Sequence, residues 1–372
     1  MAENTNFVLG VLGSDFMQMK TTDNIYLKDI IANIQDSLGL YNSRETELAK
    51  LLAYKYTDSN SQEKLIYGSD EFTEIGEIQT PGMRAGFEVW NLPNPMRRFG
   101  ALTKITREKL KTMSSSDINS FHNGKMVADK KNLVKLLFKS MMVKAPSPFV
   151  DCIDGIATTA KAFWNADTVD TPRSNGQMTF ANTHEHYNHV ATGDTLLEAD
   201  VDTFLIEHIT EHEGIGAAQI ILWARTGTTL NQIKALASYK AIVNDSVLIG
   251  TTPTYANSGA VQAVIRTGKA LGWNVKVVGS YKEALVVETP DIPIYYILAT
   301  AYAGDNDAAA PVGWREHPSF PGLILLSPTD SNPIIGADAQ YRRYYAFSVR
   351  NRSAGACLYT HGHSSYVEPT FA

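Results

Sequence analysis

The sequence is poor in cysteine: 372 residues carry only Cys152 and Cys357. Two thiols build no disulfide framework, which fits a reducing cytosol. A long apolar run is also missing. No stretch reaches about 18 consecutive apolar residues, so no membrane span is expected. Phe7 to Gly13 is short and has no basic leader, so no signal peptide is expected. Basic excess is absent too: 33 Lys and Arg stand against 39 Asp and Glu, for a net charge of -6. That excludes the bulk electrostatics of a tight nucleic-acid binder, but not a chain that merely encloses nucleic acid. No fixed-period repeat or low-complexity tract occurs. Gly10 to Gly13 and Arg225 to Thr229 lack the G-x-x-x-x-G-K-[ST] spacing of a phosphate loop, and Thr228 or Thr229 reads as a helix cap. No serine sits in a G-x-S-x-G elbow, and neither cysteine carries the local signature of a nucleophile.

What is present starts with Ser114 to Met142. Ser114, Ser115, Ser116 and Asp117 are residues that cap a helix N-terminus. Ile118, Phe121, Val134, Leu137, Phe138 and Met141 follow at helical spacing and predict one apolar face. Asp129, Lys130, Lys131, Lys135 and Lys139 take the other. Pro146 and Pro148 end the run. The result is a helix of roughly 40 Å at 1.5 Å per residue, with Asn123-Gly124 as its weak point, since Gly costs about 1 kcal/mol in a helix interior.

The chain is long enough for two or three lobes, and its 44% hydrophobic and 19% charged residues are ordinary for a folded protein. A helix is expected near Asn24 to Leu38, with a stripe of Leu27, Ile30, Ile31, Ile34 and Leu38 and a stop at Gly39. A second is expected near Ser43 to Tyr54, with Asn42 and Glu45 at capping-box spacing. Thr57 to Glu63 reads as a polar linker. From Leu65 to Leu110 helical periodicity gives way to Gly68, Gly76, Gly82, Gly86 and Gly100, with strand-like Phe87 to Leu92 between turns. A long coreless loop is out of place in a compact domain, and an extended hairpin resting on another subunit accounts for it.

Beyond the long helix, residues 146 to 198 read as loops and short strands. Ala199 to His212 reads as a helix. Strands at Gln219–Trp223, Val247–Ile249, Asn274–Val278, Ile294–Ala299 and Leu323–Leu326 then alternate with helices at Thr229–Ala237 and Ser258–Leu271, which predicts an α/β-like lobe. The chain closes on an expected hairpin: Tyr345, Phe347 and Val349 alternate with Ala346, Ser348 and Arg350, Ser353-Ala354-Gly355 turns, and Ala356 to Thr360 returns.

That order resembles the major capsid protein of tailed bacteriophages, the Hong Kong 97-type fold. The residues that carry the resemblance are Thr106 to Leu110 feeding into Ser114 to Asp117 and the long helix, and Tyr345 to Arg352 with Ala354-Gly355-Ala356 before Pro369. Trp164, Asp170-Thr171-Pro172, Phe180 and His184 to Tyr187 are similar to one subgroup of that family. The resemblance spans roughly residues 20 to 370 and is architectural. It implies an α+β fold with an N-terminal arm (1–63), an E-loop hairpin (64–111), a P-domain with the spine helix (112–194), an α/β-like A-domain (195–335) and a closing P-domain hairpin (336–372).

It also implies self-assembly into pentamers and hexamers of an icosahedral head that encloses double-stranded DNA, with no cofactor and no catalysis. Assembly would take place in a host cytoplasm and end in a virion. Scaffold, portal and cement proteins are possible partners. Some family members weld their shells through a lysine in the E-loop. Between Lys64 and Lys104 this chain has no lysine, and Arg84, Arg97 and Arg98 are its only basic residues there. A non-covalent shell is therefore expected. Arg84, Arg97 and Arg98 become subunit-contact candidates, as do Lys130, Lys131 and Lys135 of the spine opposite Glu71 and Glu74 of a neighbour's loop. An encapsulin-type nanocompartment shell is the alternative on the same fold.

One reading of another class competes. His208-Ile209-Thr210-Glu211-His212 matches the H-x-x-E-H pattern of inverted zinc peptidases, with two imidazoles at i and i+4 for Zn²⁺ and Glu211 as base. No third ligand stands out, so half-buried helix histidines are the plainer reading. His184, His186 and His189 form a second cluster, in which an extended strand would turn His184 and His186 to one side. Loop histidines at a subunit junction are the plainer reading there, and no metal is expected at either place.

Overall fold

The structure, a computed structural model, describes residues 7–8, 18–44, 47–66, 87–167, 183–191, 193–213, 215–241, 275–302, 310–326 and 336–371. Gly68, Gly76, Gly82, Gly86, Glu71, Glu74, Arg84, the stretch 168–182 and the expected strand and helix within 242–274 lie outside them.

Helix α1 (Leu27–Arg44) buries Leu27, Ile30, Ile34 and Leu38, the expected stripe apart from half-buried Ile31. It runs past Gly39, which is not a stop. Asn42 is consequently inside the helix and caps nothing: its side-chain amide donates to the Leu323 carbonyl and its oxygen accepts the Leu323 N–H, both at 2.9 Å. That pair ties the arm to the body. The second helix, α2 (Glu47–Leu52), is shorter than expected, because Ala53–Tyr56 leaves it as strand β2. The stretch read as a polar linker is mostly strand β3 (Asn60–Ile66), which pairs antiparallel with β4 (Phe87–Pro93) in a two-stranded sheet of its own. This is the base of the expected hairpin. Its polar residues carry no apolar alternation, so they gave no strand signal.

Strand β5 (Arg97–Thr106) and helix α3 (Arg107–Thr112) lead to the spine, α4 (Ser115–Met142), whose 28 residues run unbroken through Asn123-Gly124. Ser114 and Asp117 form a reciprocal capping box, which satisfies two backbone donors left over at the helix start. At the other end the Met141 carbonyl accepts from the Tyr187 hydroxyl at 2.9 Å and the Met142 carbonyl from the Tyr366 hydroxyl at 2.8 Å. Orphan carbonyls of a last turn need such donors. His122, Leu133, Val134, Leu137, Phe138, Met141 and Met142 are buried. Two assignments of faces change. Phe121 is 51% exposed, while Asp129, read as outward, turns in to Arg343.

Two large sheets flank the spine. The first runs β1 (Phe7–Val8), β15 (Ile324–Leu326), β16 (Gly336–Val349), β14 (Val312–Glu316), β2, with β5 on the other edge of β16. Ten residues of β5 pair with Gly336–Tyr345. The second runs β10 (Tyr239–Ala241), β11 (Lys276–Tyr281), β12 (Ala284–Glu288), β9 (Ile220–Ala224), β13 (Tyr296–Ala301), β17 (Gly355–Tyr359), β8 (Tyr187–His189). The strand expected at Leu323–Leu326 is present, but it joins the first sheet rather than the α/β-like lobe. A small hairpin, β6 (Pro148–Val150) with β7 (Ala157–Thr159), stands apart.

The closing hairpin is not a hairpin. β16 belongs to the first sheet and β17 to the second, and residues 350–354 cross between them. Tyr345, Phe347 and Val349 alternate with Ala346, Ser348 and Arg350, and all six are buried. Both faces are covered, so an alternating sequence here marks core on two sides. The main core lies between the spine and the sheets, where Phe138 meets Trp223 edge to face with ring centroids 5.7 Å apart. A second core, around Val201, Leu205, Ile209, Leu222 and Leu358, fills the opposite face of the second sheet.

Candidate functional site

The crossing between the sheets gathers one cluster of buried polar groups. Arg352 is fully buried. Its guanidinium donates to Asp167 at 2.8 and 3.1 Å, to the Asn165 side chain at 2.8 Å and to the Ala162 carbonyl at 2.9 Å. Glu213, pushed up by burial, accepts from the Asn351 amide at 3.0 Å and from the Ser353 hydroxyl. The Gly355 carbonyl accepts from His186 Nδ1 at 2.7 Å. Sequence reading found none of the buried arginines, because charge alone reads as surface.

The histidines come from two segments. His184 and His186 precede β8. His208 and His212 lie on helix α6 (His208–Glu213), which continues α5 (Glu198–Val201) through a π-helical stretch, Asp202–Glu207. A π turn holds more residues than an α turn, so it rotates everything after it and is common at functional sites. Here it turns His212 inward, fully buried. His212 Nε2 and His184 Nε2 lie 2.7 Å apart. The His184 ring stacks on His208 at 4.5 Å and meets His186 edge-on at 5.3 Å. Burial pushes the imidazoles of His184 and His212 down to about 4 and about 3, and holds His186 well below its ordinary value. His189, in β8, is not part of the group.

The zinc-peptidase pattern does not close as expected. His208 and His212 do not converge on one point. His208 has its Nδ1 on the Thr203 carbonyl at 2.6 Å and its Nε2 on the Glu185 carbonyl at 3.2 Å, and Glu211 is not among the converging groups. The histidines that do converge are 184, 186 and 212, drawn from both sequence clusters. The two motifs were each legible; their meeting was not.

The subunit-contact candidates are dispersed. Arg97 is half-buried, with its guanidinium 3.1 Å from the centre of the Phe149 ring of the same chain. Arg98 and Lys131 are exposed, and Lys130 and Lys135 half-buried. Exposed apolar side chains accompany them: Phe121 and Val127 on the spine, Val150, Ile153 and Ile156 on the β6–β7 hairpin, and Leu102 on β5. Thr229 is no cap: Gly227, at φ +107°, begins α7 (Thr228–Lys234), and the Thr229 hydroxyl accepts the Tyr295 N–H at 2.9 Å. No helix of the described residues is long and apolar enough to cross a membrane.

An arm helix, a separate two-stranded ribbon, a long capped spine against a mixed sheet, and a second sheet lobe together make the α+β Hong Kong 97-type capsid fold. Among solved structures, one from Mycobacterium phage Patience superposes with a TM-score of 0.64 at 21% identity, over 97% of this chain and 96% of that one. Looser matches are a capsid of an empty GTA particle (TM-score 0.48, 14% identity, 86% and 90% covered) and the SrpI encapsulin complex of Synechococcus elongatus (TM-score 0.43, 8% identity, 88% and 91% covered). No family model matches the chain, and no curated protein matches it.

Proposed function

We propose that this chain is the major capsid protein of a tailed-phage head, a structural subunit without catalysis. Its copies would form pentamers and hexamers that close an icosahedral shell around double-stranded DNA, assembled in a host cytoplasm. The observation that carries this reading is the end-to-end match of fold to a phage structure, over nearly the whole length of both chains. Two further features support it. The β3–β4 ribbon pairs with no other strand among the described residues, and an isolated two-stranded hairpin is marginal in water; a neighbouring subunit would cover it. Exposed Phe121, Val127, Leu102, Val150 and Ile156 are scattered over separate elements, as contacts in several directions require. Ring-forming contacts are heterologous and close by rotation, and many modest contacts acting together suffice.

In this reading residues 1–63 form the arm and 64–111 the E-loop; Arg84, Arg97 and Arg98 are contacts to a neighbouring copy, and Lys130, Lys131 and Lys135 of the spine lie opposite Glu71 and Glu74 of a neighbour's loop. Residues 112–194 and 336–372 would form the P-domain, and 195–335 the A-domain. Scaffold, portal and cement proteins are candidate partners. Negative-stain electron microscopy of the expressed chain tests the proposal: closed particles are expected, and a monodisperse monomer would refute it. Protein cargo without nucleic acid in native particles would replace the phage head by a nanocompartment.

A further inference from the structure

We infer that His184, His186 and His212 form a binding site for one divalent, imidazole-preferring transition-metal ion, of which zinc suits the geometry best. The inference does not depend on the shell reading. Ligand-type nitrogens of the three side chains lie within 4.8 Å of one another, and His184 Nε2 and His212 Nε2 are 2.7 Å apart. Tetrahedral zinc with Zn–N bonds of about 2.0 Å needs its ligand nitrogens about 3.3 Å apart. A small rotation of half-buried His184 opens its 2.7 Å separation from His212 toward that value, and modest adjustments of the three rings bring the remaining separations to it. His186 and His212 are buried and held by their elements.

The surroundings are those of a ligand set. His186 donates its Nδ1 proton to the Gly355 carbonyl, which fixes the tautomer and leaves Nε2 as its lone-pair nitrogen. Metal-bound histidines are oriented by such a second hydrogen bond. His208 is not a ligand: its nitrogens face two carbonyls, and its ring is stacked on His184 as a wall. A solvent molecule on the half-buried His184 side completes four-coordination. The ion would be structural. It would clamp helix α6, reached through the π stretch, to the segment entering β8, beside the crossing where Glu213, Arg352 and Gly355 hold the two sheets together. Soft-metal sites of thiolate character are excluded by chemistry, since no cysteine belongs to the group.

The test uses the untagged full chain, stripped with a chelator, loaded with zinc and dialysed. Elemental analysis is expected to give one zinc per chain for the wild type and less than about a tenth of that for His184→Gln and His212→Asn. Zinc is expected to raise the melting midpoint of the wild type by a few degrees and to leave both variants unmoved, since an ion bound only to the folded state stabilises it. Cobalt in place of zinc is expected to give the visible absorption of a four-coordinate nitrogen site. Should His212→Asn fail to fold, His184→Gln decides alone, because its side chain is half-exposed. A wild type without stoichiometric zinc overturns the inference and leaves His184 and His212 as a neutral pair sharing one proton. So does zinc retained equally by the wild type and His184→Gln.

Discussion

Asp129 of the spine helix and Arg343 of β16 meet at 2.8 Å, with side chains 7% and 0% exposed. The same guanidinium reaches Glu316 of β14 at 2.8 Å, and Lys55 of β2 joins Glu316 at 2.6 Å. Burial alone would raise Glu316, but the Arg343 and Lys55 charges outweigh it and keep the carboxyl below its usual range. One arginine therefore bolts the spine to the sheet beneath it. Arg343→Ala would remove the shared cation from two buried carboxylates, leaving Glu316 only Lys55 and Asp129 without an ion-pair partner on β16, and is expected to cost about 3 kcal/mol. Lys55→Ala, at a side chain 46% exposed, should cost under about 1 kcal/mol. Urea unfolding midpoints at an unchanged m value measure both, and equal effects would contradict the assignment.

Gly124 sits inside the spine with nothing within 4 Å of where a Cβ would stand. Gly124→Ala should stabilise the chain by about 1 kcal/mol, since the helix continues through it and only backbone entropy changes. A lowered thermal midpoint would mean that the site is covered in the assembled protein.

Gly355 opens β17 under the Phe163 ring, and a Cβ there would clash with that ring. Gly355→Ala should cost about 1–3 kcal/mol by overpacking. Adding Phe163→Leu should return part of the loss. If the double variant is no better than the single one, the clash is not the cause.

Acid should weaken the fold in a defined window. His122 is pushed down to about 4 by burial, as is His184, and His212 to about 3, again chiefly by burial. In the unfolded chain histidine titrates near 6.5. Between about pH 6.5 and pH 4 the unfolded chain thus binds more protons than the folded one, and stability falls as pH falls. Metal-free protein melted at steps from about pH 7.5 to pH 4.5 should show a midpoint declining below pH 6.5. A flat profile across that range would contradict the burial of these rings.

The shell, if formed, should come apart into single chains. The E-loop offers Arg84, Arg97 and Arg98 but no lysine between Lys64 and Lys104. A denaturing gel of mature particles should give one band at the monomer mass, and a ladder of covalent multimers would defeat the expectation.

The sequence by itself determined the spine, its Ser114–Asp117 cap, the arm stripe of Leu27, Ile30, Ile34 and Leu38, and most strands of the second sheet. Those features rest on contacts a few residues apart, so a local pattern suffices to encode them. Ser353-Ala354-Gly355 also looked local, as a hairpin turn, yet it joins two sheets: β16 pairs with β5 and β14, and β17 with β13 and β8. Partners so distant along the chain leave no mark in a short window. Tertiary structure alone decided that Asp129 faces inward, that Arg343 and Arg352 are core residues, and that His184 meets His212. Each depends on where a remote segment packs, and long-range packing supplies the partner that lets a charge or an imidazole give up water.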